Sequence, residues 1–163
     1  MTISRSESTL VATEREQVLA FVDDNRDEIM RLLDGLTEEQ ARTRLVPSET
    51  TLLGLVRHAS FVERVWFHQT VAGRTRAEIG IPDHPHDSFL LDDHDTIASV
   101  TADYAAARAE ADEIAVGIGL DELVVHNRRG PMTLRWVYVH LVEKLARHAG
   151  HGDILREQVL AAG

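Results

Sequence analysis

Apolar residues recur every three or four positions in four stretches of this chain, which is the period of one face of an α-helix. Val18, Phe21, Val22, Ile29, Leu32, Leu33 and Leu36 carry the first stretch, which predicts a helix over 14–34. Thr13 and Glu16 stand at capping-box spacing before it, and Gly35 is placed to stop it. Thr37 with Gln40 caps a short further turn, and Val46-Pro47-Ser48 breaks the chain. Leu52, Leu55, Val56, Ala59, Val62, Val65 and Trp66 predict a second helix over 51–72, ended by Gly73. Ile97, Val100, Tyr104, Ala107, Ala111 and Ile114 predict a third over 95–116. The last, over 133–160, carries Leu134, Val137, Tyr138, Leu141, Leu145, His148, Gly152, Leu155 and Val159 on one stripe.

The connections differ in length. Residues 74–94, with Gly80, Pro82, Pro85 and many acidic side chains, form the longest irregular stretch, of the kind that is often functional or mobile. Residues 117–132 contain the loop signal NRRGP and room for a short strand or turn at 123–126. Four amphipathic helices bury their stripes most simply against one another. The expected fold is therefore an all-α four-helix bundle, one domain over 1–163 with residues 1–12 as a loose arm.

Composition narrows the function. A formal net charge of −10 sets the chain against nucleic acid and anionic membrane surfaces. Without cysteine there is no disulfide, thiolate ligand or cysteine nucleophile, and a cytoplasmic setting fits. MTISRSEST lacks the apolar run of a signal peptide, and no stretch has the length of a membrane span.

The chemistry lies in the nine histidines. His84, His86 and His94 sit among aspartates in the long loop, where a solvated surface is the plain reading. His68 and His126 follow no pattern and are expected at the surface. His58 stands at the edge of the second apolar face, and His148 lies within the last one. His140, Lys144 and His151 follow its flank. Neutral imidazole is a common ligand of divalent metals. His148 and His151 are three apart and can reach one ion; His58 is the best-placed partner from another helix. That makes His58, His148 and His151 the candidate metal ligands, with Lys144 and His140 on the pocket rim. A buried polar network without metal is the alternative. Trp136 lies opposite the core stripe, either at an interface or under the 74–94 loop.

The stretches VPSETTLLGLVRHASFVERVWF and TLRWVYVHLVEKLARHAGHGDIL, together with AFVDDNRDEIMRLLDGLTEEQARTRLVPS, resemble the DinB/YfiT-like superfamily. Within it they are most similar to the actinobacterial mycothiol S-transferase-like group, long filed as a domain of unknown function. The resemblance implies an up-down-down-up bundle, often a homodimer. It also implies a divalent metal, zinc or nickel, held by one histidine of the second helix and two residues four apart on the last, here His58, Lys144 and His148. Relatives place glutamate or histidine at the position of Lys144. The ammonium there removes a ligand, so either the site is empty or His151 replaces it. The implied activity is metal-dependent transfer of a low-molecular-weight thiol such as mycothiol to a small-molecule electrophile, in detoxification or stress. Lys144 keeps open a second reading, a non-catalytic bundle with a degenerate metal site acting as a binding or interaction protein.

Overall fold

A computed structural model describes residues 3–162. Its four long helices are α1 (Glu14–Arg31), α2 (Leu52–Arg64), α3 (Ile97–Ala115) and α4 (Leu134–Ala161). Each starts where a threonine hydroxyl accepts a backbone N–H of the first turn: Thr13, Thr51, Thr96 and Thr133. Those bonds satisfy donors that a helix start otherwise leaves unpaired. The Thr13/Glu16 and Thr37/Gln40 boxes both form. Strand β1 (Leu123–Val124) pairs antiparallel with β2 (Met132–Thr133) just before α4. β1 falls where the sequence allows a short strand.

Helix directions follow from which ends meet. Arg135 at the start of α4 pairs with Glu14 at the start of α1, and Arg156 near the end of α4 donates to Leu32 O at 2.9 Å. These two helices are parallel. α2 and α3 are parallel too: Arg57 pairs with Asp95 (3.4 Å) and, farther along, His68 with Glu110 (3.1 Å). His58 faces His148 and Trp66 faces His140, which makes α2 antiparallel to α4. The order is up-down-down-up.

That order dictates the long loop. Parallel neighbours need a connection that returns along the bundle, and α2 with its continuation is about 30 Å long. Residues 74–94 make that return with a helical turn at Arg76–Ile79 and a 3₁₀ turn at Pro85–Phe89. The segment passes close over α2 at Gly54, where a Cβ would stand 2.8 Å from Phe89 O. A second close approach joins α1 to α4. A Cβ on Gly152 would overlap the Leu32 side chain.

Three expectations are corrected. The arm is not loose over its described part. Arg5–Ser8 forms a helical turn whose Arg5 and Ser6 N–H groups donate to Asp24 at 3.0 and 2.9 Å; residues 1 and 2 lie outside the described residues. Phe21 is 52% exposed, and Arg26 takes its place on the buried stripe of α1, between Val22 and Ile29. α2 continues past Arg64 as a π-helical segment, Val65–Val71. Its wider turn rotates side chains off the α-helical register. His68 is consequently buried rather than at the surface, bonded to Glu110 and Arg74.

α2 is the most enclosed helix, with only Arg57 and Arg64 partly open between Leu52 and Arg64. Its Glu63 is fully buried and receives both arms of the buried Arg26 guanidinium, at 2.8 and 2.9 Å. Burial pushes the Glu63 carboxyl up and the Arg26 charge pulls it back. The two-armed geometry is that of an ionised pair. Asp112 adds a third contact to Arg26 at 2.9 Å.

Candidate functional site

α2 and α4 cross so that the rings of His58 and His148 meet edge to face, 4.8 Å apart at 84°. The return segment closes the other sides of His58. Phe89 stacks on the ring at 3.9 Å, and Ser88 Oγ lies 2.6 Å from Nδ1. Ser88 Oγ also donates to Pro85 O at 2.5 Å. A hydroxyl has one proton and a carbonyl can only accept, so Nδ1 of His58 must carry the hydrogen in the other bond. The neutral ring then leaves Nε2 as a bare lone pair. This is how a second-layer bond fixes a histidine tautomer.

Burial, first of all, holds His58 at a pKa of about 3, with His148 and Lys144 adding charge repulsion. His148 is lowered to about 4, again chiefly by burial and then by His151, Lys144 and Arg147. His140 is lowered by burial and by Lys144. All three imidazoles are therefore neutral at pH 7.

The sign for stability follows from these directions. Unfolded histidine takes a proton near pH 6.5. Below that value the unfolded chain binds protons that folded His58 and His148 refuse, so stability falls with pH toward 4 and then 3. Going from pH 7 to pH 5 should remove about 2 kcal/mol for each ring. Urea unfolding followed by circular dichroism measures it, and His148→Phe should abolish about half of the loss. A wild-type stability that stays flat over this range would reject the assignment.

His58 and His148 open onto a pocket of about 650 Å³ that Lys144, His140, Trp66 and Arg129 also line. Trp136 stacks on His140 at 4.8 Å and is 41% exposed. The structure thus brings together His58 and His148, with Lys144 and His140 beside them. His151 is exposed, its ring 6.3 Å from that of His148, and is not among the pocket's lining residues. His84 also lines the pocket, whereas His86 and His94 are exposed elsewhere on the loop.

The donor set can be tested against a divalent metal. Of the three positions that the resemblance implies, two hold imidazoles, His58 and His148, and the third holds the Lys144 ammonium, which repels cations. Among the described residues no three His, Cys, Asp or Glu side chains are placed to hold a metal ion. The trio His58, His148 and His151 is not assembled, and the residues present do not fit the metal that the resemblance implies.

Sequence reading missed Ser88, Phe89 and Gly54. Gly54 carried a signal, since a glycine inside a helical apolar stripe, one turn before His58, marks a close backbone approach. Nothing local marks Ser88.

An up-down-down-up helical bundle with a histidine pair beside a side pocket defines the class as an all-α bundle domain. Among family models, Mycothiol-S-transferase matches residues 17–161, and the chain belongs to that family. Comparison with curated proteins finds no match. Among the described residues no helix is long and apolar enough to cross a membrane.

Proposed function

We propose that the pocket transfers a low-molecular-weight thiol of the mycothiol type to an electrophilic small molecule, and that in this chain Lys144 supplies the positive charge beside the sulfur. The observation that carries the reading is the ammonium of Lys144 sharing one pocket with two neutral imidazoles. A cation near a thiol lowers its pKa and favours the thiolate, which is the nucleophile. Nε2 of His58 accepts a hydrogen bond from the incoming S–H, and His148 borders the same space. With pKa values of about 3 and 4 neither ring retains the proton at pH 7, so it passes to solvent. The sulfur then attacks the electrophile, forming an S–C bond as the leaving group departs with its electron pair.

The same reading places the protein in the cytoplasm, in detoxification or stress, as a homodimer. Trp136 and Val139, exposed one turn apart on α4, are its candidate interface.

The test is conjugation of mycothiol to 1-chloro-2,4-dinitrobenzene, followed by absorbance. Wild type should exceed the uncatalysed rate. Lys144→Met should lower kcat/KM about tenfold and move the acidic limb of the pH profile up by about one unit, the equivalent of about 1.4 kcal/mol of thiolate stabilisation. No acceleration by wild type would leave a non-catalytic binding protein.

A further inference from the structure

The chain carries a formal charge of −10, yet four cationic side chains line this pocket against one carboxylate. The cations are Arg76, Arg128, Arg129 and Lys144; the carboxylate is Asp83. The overall field of the protein repels anions, so this local reversal needs a cause of its own. One thiolate needs one cation, and Lys144 stands beside the histidines. Three arginines remain.

Two of them are fixed in place. The Arg76 guanidinium lies over the Phe61 ring, 5.4 Å from its centroid, and donates to Gln69 Oε1 at 3.2 Å, Pro82 O at 2.8 Å and Asp83 O at 2.5 Å. All three acceptors are neutral, so the charge is oriented without being cancelled. Arg129 lies over the Trp66 ring, 5.7 Å from its centroid. The Nη2 group of Arg76 makes none of these bonds, and a guanidinium held against an aromatic face keeps its positive charge for an oxyanion. Low-dielectric walls around like charges concentrate the opposite ion.

We infer that the electrophile taken by this pocket carries a carboxylate away from its reacting atom, held by the arginine wall of Arg76, Arg128 and Arg129. This rests on the thiol-transfer reading and names the substrate class within it. The apolar ring surfaces of Phe61 and Trp66 would cover the body of such a molecule, and the carboxylate would reach the guanidinium groups.

A matched pair of acceptors tests it: N-(2-carboxyethyl)acrylamide and N-propylacrylamide share the carbon that is attacked and differ in a remote carboxylate. Addition forms the S–C bond as the C=C π bond opens, and the proton of the thiol ends on the neighbouring carbon, so no oxidant or leaving group is involved. With mycothiol as the thiol, kcat/KM should favour the carboxylate by about tenfold or more at about 20 mM salt. The preference should shrink several-fold at about 500 mM salt. Arg76→Gln and Arg129→Gln should each lower the ratio several-fold, and Arg44→Gln, at a residue that does not line the pocket, should leave it unchanged. A ratio near one in wild type, or one untouched by both pocket variants, overturns the inference. If wild type accelerates neither addition, thiol transfer fails separately. Titration calorimetry with the saturated analogues N-propanoyl-β-alanine and N-propylpropanamide then decides. Binding of the carboxylate alone upholds the anion site, and equal or absent binding of the pair overturns it.

Discussion

Lys144→Glu should turn the pocket into a site for zinc or nickel. The substitution exchanges an ammonium for a carboxylate one helical turn before His148, on the face that meets His58. Residues four apart on a helix can share an ion, and the His58 tautomer set by Ser88 leaves Nε2 ready to ligate. Three protein donors are the usual complement of an open zinc site. The local charge also changes by two units in favour of a cation. Together these should raise zinc affinity at least about 100-fold over wild type, roughly 3 kcal/mol. Titration calorimetry with zinc measures it. Adding His58→Ala or His148→Ala to the variant should remove the gain, and adding His84→Ala should not. A folded Lys144→Glu protein that binds zinc no better than wild type would mean that residue 144 does not occupy the ligand position of its family. His151→Ala should leave binding by the variant intact, because that ring is exposed and apart from the pair.

The second large effect lies in the core. Glu63→Gln keeps the shape of the side chain but leaves the buried Arg26 charge without its main partner. Breaking one side of a buried pair typically costs 3–5 kcal/mol. Asp112 and Asp23 still reach Arg26, so the loss should be about 3 kcal/mol. Replacing both partners by apolar residues, Arg26→Met with Glu63→Leu, removes the stranded charge and should restore most of that stability. Urea unfolding of the three proteins gives the answer. A loss below about 1 kcal/mol in Glu63→Gln would mean that the pair is better solvated than its burial implies.

Helix positions and starts were legible in the sequence because their causes are local: a three-to-four residue period and threonine caps. The histidine pair was legible for the same reason, since His58 and His148 each sit at a definable edge of a face. Arg26 was not, because a charged residue on an apolar stripe is readable as buried only once its partner on α2 is known. His68 was misread because seven residues of wider helix follow Arg64, and nothing in VWFHQTV announces them. The arginine wall draws on the return segment and the β1–β2 connection, whose docking no periodicity encodes. The metal ligands suggested by spacing alone included His151. Three-residue spacing brings two side chains to one side of a helix, but it does not turn both toward the same neighbouring helix.

The return segment over Gly54 has a consequence for how this bundle can change over time. Its length is imposed by two helices that run the same way, and its middle supplies the hydroxyl that sets the proton on His58. Surface loops usually absorb insertions and deletions freely. Here a deletion near Pro85–Phe89 would slide Ser88 off the imidazole and free the ring to take its other tautomer, with every helix still in place. The centre of the segment is therefore held to a fixed register by a helix it merely passes over.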